Sequence, residues 1–93
     1  MSYLPLTNNP DEIFSISILG SVYYIRQLWN TEGFWTLSFY DENNTAIVLG
    51  VKVVVGEYLL QQYLYLPFDL LSSDSSDPAR DDFDEITLTV IEK

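Results

Sequence analysis

Residues 34–55 constrain the fold more than any other stretch of this chain. Phe34-Trp35-Thr36-Leu37-Ser38-Phe39-Tyr40 alternates with period two, so Trp35, Leu37 and Phe39 share one face and Thr36, Ser38 and Tyr40 the other. Ala46–Val55 is β-branched and nearly unbroken, the pattern of a strand covered on both faces. Between them lies Asp41-Glu42-Asn43-Asn44-Thr45, whose residues tolerate left-handed backbone angles, with Asn44 expected at the αL position. A β-hairpin follows. It holds packing and pairing residues and no catalytic group.

A second hairpin precedes it, Ile13–Leu19 with Val22–Trp29. Gly20-Ser21 fits a two-residue type II′ turn with glycine first, so Leu19 should face Val22, Ile18 face Tyr23 and Ile16 face Ile25. Phe14, Ile16, Ile18, Tyr23, Ile25 and Trp29 then collect on one face, and Ser15, Ser17, Tyr24 and Arg26 on the other. Asn30-Thr31-Glu32-Gly33 turns the chain into the central hairpin, so residues 13–55 read as a four-stranded meander.

The flanks are less regular. Residues 1–11 form an extended arm, because Pro5 and Pro10 exclude helix, and Tyr3, Leu4 and Leu6 make it apolar enough to dock. Gly56–Tyr63 changes period: Leu59, Leu60 and Tyr63 share a helical face, which predicts one short helix plugging the sheet. Residues 63–71 should hold a short strand, at an edge or ended by Pro67. Ser72–Glu85 carries four serines, five aspartates and one glutamate against Arg80 alone, the composition of a mobile acidic loop. Ile86–Ile91 alternates again, with Ile86, Leu88 and Val90 inward. The whole, residues 1–93, reads as one all-β domain: a small antiparallel β-barrel or sandwich of about six strands with one short helix.

Composition narrows the function. A chain of 93 residues buries only about 60% of its unfolded surface, yet 47% of its residues are apolar and 15% aromatic. The surplus points to surface covered by other subunits. Fourteen acids against four bases give a net charge of −10, which disfavours nucleic acid and anionic membrane as partners. No stretch reaches the ~18 apolar residues of a membrane span, and Met1-Ser2-Tyr3-Leu4-Pro5 lacks a signal-peptide pattern, so a soluble protein is expected. Without cysteine there is no disulfide framework, and without histidine no Ser-His or Cys-His catalysis and no His-ligated zinc. The acid pairs Asp41-Glu42, Asp81-Asp82 and Asp84-Glu85 lie in turns and a polar loop, where solvated charge is the plain reading. The residues after Asp74 break the EF-hand spacing, although an irregular oxygen site using Asp77, Asp81, Asp82 or Asp84 stays open. The four glycines are isolated and form no phosphate loop. The residues call for no enzyme activity and no cofactor.

The order of elements resembles a known family. Leu4-Pro5-Leu6 is followed by Ile16-x-Ile18-x-Gly20-x-x-Tyr23-x-Ile25, Leu28-Trp29-Asn30 and Trp35-x-Leu37-x-Phe39-x-Asp41. Ile47-Val48-x-Gly50-Val51-x-Val53-Val54-x-Gly56 leads to Leu59-Leu60-x-x-Tyr63, and Pro78 with Asp81-Asp82-Phe83 precedes the last strand. This resembles the small baseplate plug proteins of contractile-tailed phages, of the cyanophage and myophage type. Departures are Asn44 where a turn glycine is more usual, and the acid-heavy final loop.

The resemblance implies a virion structural protein, assembled in the host cytoplasm and placed in the tail baseplate against hub and tube-end proteins, oligomeric in that assembly. The candidate contact residues are Tyr3, Leu4 and Leu6 of the arm, Lys52, Val54, Tyr63 and Tyr65 of the later strands, and Asp77, Asp81, Asp82 and Phe83 of the acidic loop. Lys52 reads as a guard against edge aggregation. The other reading is a small β-barrel that binds a ligand or peptide in a pocket near Trp29, Trp35 and Tyr58.

Overall fold

A computed structural model describes residues 2–63, 66–72, 74, 77–78, 80–81 and 83–93. Seven strands lie among the described residues, in order β1 (Ser2–Tyr3), β2 (Asp11–Ile18), β3 (Ser21–Asn30), β4 (Phe34–Tyr40), β5 (Ala46–Lys52), β6 (Phe68–Leu71) and β7 (Thr89–Glu92). They form two antiparallel sheets, ordered β2-β3-β4-β5 and β1-β7-β6. No strand pairing joins the sheets among the described residues, so no closed barrel forms there. They meet through side chains: Phe68 of β6 lies edge-on to Tyr23 of β3 at 5.1 Å and beside Phe39 of β4 at 6.2 Å. One core runs from Leu4 to Leu88, with Ile25, Trp35, Leu37, Phe39, Phe68 and Leu88 fully buried.

The central hairpin forms as its alternation predicts. The Asp41 carboxylate accepts the N–H groups of Asn43 and Thr45, each at 2.9 Å, and Asn44 takes φ +64°. The expectation of a doubly covered β5 fails, because β5 is the outer strand of its sheet. Val48 and Val51 point to the core, whereas Leu49 is 63% exposed. Pairing with β4 also shifts twice, between Leu37 and Phe39 and between Phe39 and Tyr40. Gly50 sits there at φ +70°, donating its N–H to Ser38 Oγ at 3.0 Å. Glycine within a strand is a bulge signal, and it breaks the two-faced pattern.

The first hairpin keeps its faces but not its turn. Leu19 and Gly20, not Gly20 and Ser21, form the loop, with φ +52° and +81°, and Ile18 pairs with Ser21. Positive φ at both loop positions is the type I′ turn, whose twist matches that of the strands. Ile16 therefore faces Tyr23 rather than Ile25. The register moves by two residues, so each side chain stays on its expected face.

The short helix expected over residues 56–63 is absent: the segment is a series of turns. Its donors are drawn sideways onto β6. Gly56 N–H bonds the Ser72 carbonyl at 2.8 Å, Leu59 N–H the Leu70 carbonyl at 3.0 Å, and Leu60 N–H the buried Asp69 carboxylate at 2.7 Å. A helix would need those donors for itself only after its first turn, so a stretch this short loses little by giving them away. The strand expected in residues 63–71 starts after Pro67, as β6. The arm is held as well: β1 pairs with β7, and Leu4 N–H bonds the Leu88 carbonyl at 3.1 Å.

Candidate interaction surface

The margin of β5 and the turns after it border a groove and carry exposed apolar side chains. Leu49 stands out at the bulge, and beyond it a groove of about 450 Å³ is lined by Lys52, Val54, Tyr58, Gln62 and Tyr63, among others. Tyr58 is 50% exposed. The far wall is braced: Lys93 Nζ donates to the Leu60 carbonyl at 2.7 Å and the Tyr63 carbonyl at 2.9 Å. Lys52 Nζ lies 4.9 Å from the Phe34 ring centroid, a cation–π contact that holds the ammonium over the sheet. Glu57, Gln61 and Gln62 line the groove as well, so its surface mixes apolar side chains with polar groups and one charge of each sign.

Of the residues singled out in the sequence, Lys52, Val54 and Tyr63 come together in this groove. Tyr65 and Asp82 lie outside the described residues. Tyr3 is exposed on β1, whereas Leu4 is buried and Leu6 half-buried against the core of their own chain. Phe83 is fully buried, stacked on Trp35 with centroids 4.2 Å apart and planes at 7°. Its ring packs into the core of its own chain.

At its described positions the acidic segment makes hydrogen bonds to the rest of the chain. Asp77 accepts Val55 N–H at 2.9 Å, Arg80 Nη1 donates to the Asn8 carbonyl at 2.8 Å, and Asp84 N–H reaches Asn8 Oδ1 at 3.2 Å. Asp74 accepts the Ser72 hydroxyl and, at 2.9 Å, Thr87 N–H. The Ser72 hydroxyl first and the Thr87 amide second hold its carboxyl below the usual carboxylate range. Asp81 remains outside, 3.6 Å from Arg80 and almost fully solvated. Among the described residues no group of three or more acids is placed to hold a metal.

Nothing among the described residues supports the pocket expected near Trp29, Trp35 and Tyr58. Trp35 is sealed beneath Phe83, Trp29 packs edge-on against it at 5.4 Å, and neither lines the groove at Tyr58. Sequence reading missed Leu49, whose exposure follows from the bulge; Gly50 inside a β-branched run was the available signal.

A small all-β chain with exposed apolar side chains on an acidic body matches one family along nearly its whole length. The model for "Cyanophage baseplate Pam3 plug gp18" covers residues 1–92. The chain belongs to this cyanophage baseplate plug family. No curated protein matches it. Membership makes it a structural protein of the virion, located in the phage tail baseplate and in contact with other baseplate proteins. No helix among the described residues is long and apolar enough to cross a membrane.

Proposed function

We propose that this chain is a non-enzymatic structural subunit, acting as one folded unit, that docks on the central hub and tube-end proteins of the baseplate through the β5 margin. The exposure of Leu49 and Tyr58 carries this reading: Tyr58 lines the groove, Leu49 precedes its lining residue Gly50, and exposed apolar side chains next to a cleft suit a partner's side chain. Lys52 and Tyr63 would set the polar rim. Exposed Asp81, Asp84 and Glu85 add charge-assisted contacts to a basic neighbouring surface. Assembly takes place in the host cytoplasm, which suits a chain without cysteine. The lack of histidine and cysteine supports a non-enzymatic role, because Ser-His and Cys-His dyads cannot be made from this sequence.

Co-expression with the hub and tube-end proteins tests the docking. Leu49→Lys and Tyr58→Ala should each weaken co-purification by at least about tenfold, the scale of an interface anchor. Wild-type recovery of the complex by both variants, with the folded state intact by circular dichroism, would rule out the β5 margin as the contact.

A further inference from the structure

The opposite margin of the four-stranded sheet carries a second surface, distinct from the β5 contact. Ile18 and Ser21 close the two-residue turn, so the bonds between β2 and β3 are made at Glu12, Phe14, Ile16 and Ile18. Trp29 N–H to the Pro10 carbonyl, at 2.8 Å, continues the same phase. Asp11, Ile13, Ser15 and Ser17 therefore aim their N–H and C=O groups outward. Asp11 N–H is taken by Asn9 Oδ1 at 3.2 Å, whereas Ile13, Ser15 and Ser17 have no other backbone partner among the described residues.

The remaining margins are guarded. β6 is covered by the turns at Gly56 and Leu59, β1 has two residues, and β5 is interrupted by two register shifts, Gly50 and Lys52. β2 has none of these devices. Asp11–Ile18 contains no glycine, proline or lysine, and its pairing with β3 is uninterrupted over all eight residues. Such an edge is a template for another strand.

We propose that β2 joins β2 of a second copy of this chain, antiparallel, about a two-fold axis at Ser15. The strip is self-complementary in that register. Ser15 faces its own counterpart and Ile13, 62% exposed, faces the second copy's Ser17, giving three narrow pairs and about six backbone hydrogen bonds. On the core side, half-buried Phe14 meets the second copy's Ile16 and carries the core across the junction. No acid faces an acid: Asp11 lies opposite Leu19 and is neutralised by its own Arg26 at 2.7 Å, and Glu12 accepts the Thr7 hydroxyl. The centre is neutral on a chain of net charge −10, so long-range repulsion opposes the dimer and salt relieves it.

The chain lacks cysteine, so Ser15→Cys reports the axis without background. A narrow antiparallel pair holds its Cα atoms about 5.5 Å apart, within disulfide reach. Mild oxidation should convert Ser15→Cys to a covalent dimer. Ser17→Cys alone should form no covalent dimer, yet link to Ile13→Cys when the two are mixed. Sedimentation of the unsubstituted chain should show a monomer–dimer equilibrium that tightens at least fivefold between about 50 and 500 mM salt. Ser15→Pro removes only an outward N–H and should give a folded monomer. A wild-type chain that stays monomeric at both salts, or Ser17→Cys linking as fast as Ser15→Cys, overturns the proposal. A Ser15→Cys chain that stays monomeric does so too, and leaves the edge to a strand of another baseplate protein. None of these substitutions touches Leu49 or Tyr58, so failure here is separable from failure of the β5 contact.

Discussion

Gln27 shows how one residue can hold two parts of this chain together. It lies on the core face of β3 between Ile25 and Trp29, fully buried, with every amide group engaged. Its Nε2 donates to the carbonyls of Thr7 and Asn9, each at 2.8 Å, and Oε1 accepts Thr7 N–H at 3.2 Å. Gln27→Ala would take this partner from the amide of half-buried Thr7 and from two carbonyls, at a cost of about 1–3 kcal/mol. The urea midpoint measures this; no shift would mean that water replaces the side chain. Phe83→Ala should cost about 3–5 kcal/mol, because it empties the face of Trp35. Loss of the stack should also red-shift the tryptophan emission, and an unchanged spectrum would count against it.

At the scale of elements, turns decide more than strands do. The type I′ turn places Leu19 at φ +52°, a conformation that costs an ordinary L-residue about 1–2 kcal/mol. Asparagine tolerates it, and Asn-Gly is the preferred pair for this turn. Leu19→Asn is therefore expected to stabilise the protein by about 1 kcal/mol, read as a higher urea midpoint. A lower one would show that Leu19 contributes packing despite its exposure. The segment over residues 56–63 makes the complementary point. Its apolar spacing is helical, but strand β6 supplies acceptors where a helix would have needed its own.

At the scale of the whole molecule, charge sets the acid limb of stability. Asp74 is held below the usual carboxylate range by Ser72 and Thr87, and Asp11 by its bidentate bond to Arg26. A depressed folded pKa contributes stability above the unfolded value, near 3.8, and loses it as pH falls through the folded value. The urea midpoint should thus decline below about pH 4. Asp74→Asn should lower it at neutral pH and make the acid decline shallower. An acid limb unchanged in that variant would leave Asp74 without a role.

The strand faces, the meander of β2 to β5 and the αL turn at Asn44 were legible in the sequence, because side-chain alternation and turn chemistry are local and reinforce each other. So was the family, since it rests on the order of elements along the chain. Parity protected the faces even where the Leu19-Gly20 turn moved the register by two. Which margin of β5 would be bare, where Phe83 would go, and whether residues 56–63 would coil were decided only by tertiary structure. Each depends on a partner far away in the chain: Trp35 for Phe83, β6 for the turns, and the end of the sheet for Leu49. Local pattern specifies what a segment can offer, and distant neighbours determine which of its groups are taken up.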